Sequence, residues 1–216
     1  MANKEQLHRS SFLKKIVKEA ANQTAIEKLI AKVKKFKDDL GKYGVDEIKT
    51  VSEIFMTALT NFEILENDVK RNAAYLKKFG ASVDITSAVQ MYAEYTASVF
   101  MVLATIECGK MILQKKEFSS KIINRKAFDT VIVTTQKLVN LYKQIVEDGN
   151  KVKSLLKDRI AELQQAKTVS PETVKKLTDA LSELTDAARK SGRYKQDIAH
   201  KAAAMVVQQL QKKYPH

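Results

Sequence analysis

The side chains best suited to covalent or acid–base chemistry are few: His8, His200 and His216, the lone Cys108, and the acid pairs Asp38 with Asp39 and Asp46 with Glu47. Hydrolysis or group transfer needs a nucleophile, a base and an orienting group that converge. His8 and His216 stand close to the chain ends, where solvated residues are the rule. His200 follows Ile198 and Ala199 in an apolar-periodic stretch and reads as a surface or satisfied histidine rather than a general base. Cys108 lies between Glu107 and Gly109 with no cation beside it in sequence to lower its pKa, so it reads as a buried, inert thiol. The Asp46–Glu47 pair fits a helix start, where acids complement the dipole, whereas Asp38–Asp39 falls at a helix end and is mildly unfavourable there.

Metal and phosphate chemistry fare no better. The sequence contains no HExxH, CxxC or CxxxH spacing, and it lacks the two ExxH motifs of the di-iron bundle type. Its glycines form neither GxGxxG nor GxxxxGK. Gly41, Lys42, Tyr43 and Gly44 read as a plain interhelical turn in preference to an anion nest. No catalytic, cofactor-binding or metal-binding set is therefore expected, nor a small-molecule substrate, and the chain is expected not to be an enzyme.

What remains is charge and pattern. Residues 1–42 hold 11 Lys and Arg against 5 Asp and Glu; 43–80 hold 5 against 6, and 81–118 hold 3 against 4. The balance returns to 10 against 5 over 119–168 and 9 against 5 over 169–216. A neutral middle with basic flanks attracts anionic partners at long range without choosing among nucleic acid, anionic lipid and acidic protein. Lys28, Lys32 and Lys35 fall at i, i+4 and i+7, one helix face, while Lys14, Lys15 and Lys18 flank Phe12, Leu13, Ile16 and Val17 on a segment of interfacial type. These six lysines are the candidate contacts for an anionic surface, weighed against an ordinary solvated face. Nucleic acid is the weaker partner: lysine dominates arginine and tryptophan is absent.

The elements that carry these residues are legible from apolar spacing. From Ile48 through Val51, Phe55, Ala58, Phe62, Leu65 and Val69 to Leu76 and Phe79, apolar residues recur three and four apart, with Asn72 alone breaking the seam. A 3.5-residue repeat keeps one stripe facing a partner helix, so 46–79 is predicted as one long helix ending at Gly80. Phe55 and Phe62 are its candidate anchors, and Asn72 a polar position that could fix register. Residues 10–40 read as a basic amphipathic helix, or two broken near Asn22, where Thr24 and Glu27 match a capping box. Residues 84–116 form a helix with a second seam at Ile85, Ala88, Tyr92, Tyr95, Val99, Val102, Ile106 and Leu113; other faces are apolar too, so it is placed at the centre.

Residues 119–167 keep one heptad phase across Asp148, Gly149 and Asn150, which favours one helix with a weak point at Gly149 over two helices. Ser170, Pro171 and Glu172 signal the start of the last helical region, 171–213, with Ser191 and Gly192 as an interruption. With 44% hydrophobic and 29% charged residues, few Gly and Pro and no long linker, the chain is expected to fold as one all-α domain over 1–216. The expected fold is an elongated bundle of four to six long antiparallel helices with heptad packing.

A single cysteine excludes a disulfide-stapled module, and the N-terminus lacks the apolar core of a secretory signal, so a soluble cytoplasmic protein is expected, with signal-independent export as the competing route. The leading functional reading is a non-enzymatic interaction or assembly protein that binds a protein partner or itself through its long seams. The alternative is a membrane-active bundle, lipid-binding or pore-forming, that sequesters the nearly uncharged stretch 85–106. That stretch is long enough to span a bilayer but carries Glu94 near its middle, which is expensive in lipid.

Overall fold

A computed structural model describes residues 23–38, 45–79, 83–167, 169–190 and 192–215. Among these, all regular structure is helical. Eight helices follow in order: α1 (23–38), α2 (Val45–Thr60), α3 (Phe62–Phe79), α4 (Ile85–Gln114), α5 (Lys116–Ser119), α6 (Arg125–Ala166), α7 (Pro171–Lys190) and α8 (Gly192–Lys213). His8, Lys14, Lys15, Lys18, the Gly41–Gly44 turn, Gly80, Ser191 and His216 lie outside the described residues.

Eight exceeds the expected four to six because two long segments divide and one short helix intervenes. The helix predicted over 46–79 stops at Asn61. Its N–H still donates to Thr57 O (2.7 Å), while its side-chain Oδ1 accepts from Glu63 N (3.2 Å) and so caps α3. Just before it, the Thr60 hydroxyl donates back to Met56 O (2.9 Å), a bond that competes with the helical ladder. The segment 171–213 likewise comprises α7 and α8, on either side of residue 191.

The other boundaries rest on familiar caps. Asp84 accepts from Ser87 N (2.8 Å) to start α4, and Asn124 accepts from Ala127 N (3.1 Å) to start α6. Ser170 Oγ accepts from Thr173 N (3.2 Å) ahead of Pro171. α6 runs unbroken for 42 residues through Gly149 and ends at Lys167, which takes a left-handed conformation (φ 49°).

The buried apolar residues form two clusters. One gathers Ile26, Leu29, Ile30 and Val33 of α1, the start of α4, the second half of α6, and Val174, Leu177, Leu181 and Leu184 of α7. The other gathers α2, the second half of α4, Phe118 of α5, the first half of α6, and Ile198 to Leu210 of α8. α4 and α6 are the two helices common to both.

α4 shows how one helix serves two sets of neighbours. Ala88, Tyr92, Thr96, Phe100, Ala104, Cys108 and Ile112 are all buried, at a strict spacing of four. Each step of four advances about 40° around a helix of 3.6 residues per turn, so the stripe winds roughly 240° from end to end. The expected straight seam is accordingly incomplete: Ala88, Tyr92 and Ile106 are buried, but Ile85, Tyr95, Val99, Val102 and Leu113 are half-buried. Buried threonines on these helices are satisfied locally. Thr96, Thr105 and Thr135 donate to Tyr92, Met101 and Val131 carbonyls at 2.8 Å each.

Two glycines set how close α4 and α6 come. A Cβ on Gly149 of α6 would fall inside the Tyr95 ring of α4, and one on Gly109 of α4 would collide with Thr135 of α6 and the Phe55 ring of α2. The ~1 kcal/mol that an interior glycine costs a helix is offset here by ring-on-backbone packing.

Candidate interaction surfaces

Among the described residues, those singled out for chemistry are not brought together. Cys108 is fully buried, and burial pushes its thiol up, away from the reactive thiolate. His200 of α8 pairs with Glu117 (2.7 Å) and lies edge-on to the Phe118 ring at 5.1 Å, tying α5 to α8. Asp46 and Glu47 occupy the first turn of α2, where the dipole favours them. Among the described residues no group of three or more His, Cys, Asp or Glu is placed to hold a metal ion.

Between the two apolar clusters α4 and α6 meet through Tyr92 and Tyr95 of the α4 seam and Asp148 beside Gly149, residues that the sequence pattern places on separate elements without joining them. Tyr95 packs on Gly149, its ring centroid 6.4 Å from that of Tyr92, and the Tyr92 hydroxyl shares a hydrogen bond of 2.5 Å with Thr185 of α7. Burial, reinforced by Tyr142, Tyr92 and Asp148, pushes the Tyr95 phenol up to about 12. Asp148 is buried and accepts from Lys151 (2.9 Å) one turn on. The group is a packed polar junction of mutually engaged side chains.

A cleft of about 420 Å³ opens where α1, α4 and α6 meet, lined by Ile26, Val83, Ile85 and Leu163 among others. Its acidic groups are already occupied: Asp84 caps α4, and Arg159 donates to both carboxylate oxygens of Glu162 (2.7 and 2.6 Å).

The basic face of α1 is where the i, i+4, i+7 spacing puts it. Lys28, Lys32 and Lys35 are exposed and stand opposite Ile26, Leu29, Ile30 and Val33, which bury the other face. Lys37 leaves that stripe to pair with Glu183 of α7 (2.7 Å); the contact raises the lysine's pKa and lowers the carboxyl's, through the hydrogen bond first and the opposite charge second.

The seam of 46–79 divides in its environment as well as its backbone. Val51, Phe55 and Ala58 on α2 are buried. Phe62, Leu65 and Val69 on α3 are only half-buried, and Asn72 is exposed. The ammonium of Lys137 on α6 stands 5.4 Å from the centre of the Phe62 ring, a cation lying over the anchor's face. Ile64 on α3 and Val133 on α6 are about half exposed, at 49% and 52%. Among the described residues α4 is the one helix long and apolar enough to cross a membrane, and 44% of its most apolar window is buried inside the bundle.

Comparison of the chain with protein-family models, with curated protein sequences and with solved structures finds no match.

Proposed function

We propose that this chain is a non-enzymatic interaction protein of the cytoplasm, a helical bundle that docks a partner helix, from another protein or a second copy, along α3. On this reading the seams of α2, α3 and α6 pack in coiled-coil fashion, with their helices antiparallel, and α3 presents the part of its seam left uncovered. The observation that carries the proposal is the change in burial along one apolar repeat: complete at Phe55, half at Phe62, Leu65 and Val69. A stripe at heptad spacing that is only half covered is the geometry that accepts a further amphipathic helix. The test is a photo-crosslinking amino acid at Ile64 of the intact chain in its native cells, with adducts identified by mass spectrometry. The reading expects one dominant adduct, a second copy or one helical protein, lost on Leu65→Glu; scattered or absent adducts sink it.

A second reading is supported by α4, whose length and composition meet those of a membrane span. Under it the bundle opens at an anionic surface and α4 inserts. Dye release from anionic vesicles at high salt is its requirement; intact vesicles count against it.

A further inference from the structure

One place in the fold concentrates cations without ion-pair partners and an exposed apolar side chain. The connection before α6 packs against the end of α8: Ile122 and Leu210 are buried in the same cluster, and Gln211 Nε2 donates to Lys121 O (3.3 Å). A small cleft of about 130 Å³ is lined jointly by residues 121–124 and by Leu210, Gln211, Tyr214 and Pro215. Around this join Lys121, Arg125, Lys126, Lys212 and Lys213 are all exposed. No acidic residue occurs over 118–128 or 207–216, and none of the five cations forms an ion pair among the described residues. Ile123, at their centre in sequence, is 69% exposed.

The placement of Arg125 and Lys126 is the telling detail. They occupy the first turn of α6, which holds no acid, so they face the positive end of the helix dipole. Stability alone would put Asp or Glu there. The next acid, Asp129, lies one turn on and forms no ion pair with either cation among the described residues; a local rule broken with so little internal compensation points to an external one, here a negatively charged partner.

We propose that the tip formed by Lys121, Ile123, Arg125, Lys126, Lys212 and Lys213 docks on an anionic phospholipid surface, the cations meeting the headgroup phosphates while Ile123 enters the boundary of the acyl chains. Charge complementarity carries the electrostatic half, and the solvent-exposed isoleucine the apolar half. A nucleic-acid backbone would answer the cations but give Ile123 no gain. Tyr214, half-buried beside the Lys213 ammonium at 5.8 Å from its ring centre, is not free to stack on bases. Docking of this kind leaves α4 buried, and it is independent of the α3 reading because it uses other residues.

The experiment is flotation of the full chain with phosphatidylcholine vesicles, with and without phosphatidylserine, alongside a single-stranded RNA homopolymer. Binding is expected only where phosphatidylserine is present. The triple variant Lys121→Glu, Arg125→Glu, Lys126→Glu should weaken it on the order of a hundredfold, and Ile123→Ser by about tenfold. The triple variant Lys143→Glu, Lys153→Glu, Lys157→Glu, at exposed positions farther along α6, should bind as the parent does. No flotation, equal binding by the tip variant, loss through the variant farther along α6, or binding to the RNA in place of the vesicles each overturns the proposal.

Discussion

α2 and α3 carry one apolar repeat, broken only at Asn72, yet they end up in different surroundings. On α2 the repeat is walled in: Phe55 meets Gly109 of α4, which is bare enough to let the ring approach. On α3 the same spacing runs along α6, where Phe62 and Leu65 pack only against the edge of the core cluster, Lys137 lies over the Phe62 ring, and Leu65 and Val69 are half open. Periodicity specifies which residues share a face. It does not specify how many neighbours that face finds.

If the α2 half is core, damage there must cost the most. Phe55→Ala removes a fully buried ring wedged against Gly109 and should destabilise by about 3–5 kcal/mol in denaturant unfolding. Gly149→Ala comes next, since the added methyl must displace the Tyr95 ring; a loss of about 1–3 kcal/mol is expected, recovered in part by pairing it with Tyr95→Ala in a double-mutant cycle. A loss in the double variant equal to the sum of the singles would contradict the ring-on-glycine account. Phe62→Ala, at a half-covered position, should cost roughly 1 kcal/mol, well below its α2 counterpart. An equal cost would erase the distinction between the two helices.

The smallest effect belongs to the exposed pair Lys37–Glu183. Its contribution is present above the ordinary carboxylate pKa and is lost as pH falls through the lowered value of Glu183; at the alkaline end it is lost as pH rises through the raised value of Lys37. Lys37→Ala should therefore flatten the pH dependence slightly at acid pH and at low salt, with little change in melting temperature.

The helices were largely legible because apolar residues recur at three and four. α7's start at Ser170–Pro171 and its stripe, α6's passage through Gly149, and the exposed lysine face of α1 all follow from local pattern. What escaped has a common physical form. The break at Asn61 preserves the apolar phase on both sides, so the repeat cannot reveal it; Thr60 followed by Asn61 was the available signal. In α4 the winding stripe hid inside a helix apolar on every face, although the four-residue spacing from Ala88 to Ile112 was there to be read. The match of Tyr95 to Gly149 joins residues far apart in sequence, which no local pattern encodes. The basic tip escaped because its two halves lie at opposite ends of the second half of the chain.

The most direct test measures Phe55→Ala and Leu65→Glu side by side for melting temperature and for sedimentation equilibrium of the intact chain with whatever partner the Ile64 crosslink captures. Phe55→Ala is expected to lower the melting temperature by on the order of 10 °C, while Leu65→Glu shifts it by no more than about 4 °C and abolishes association. A large loss of stability from Leu65→Glu, with association unchanged in the folded fraction, would make α3 ordinary core and contradict the account.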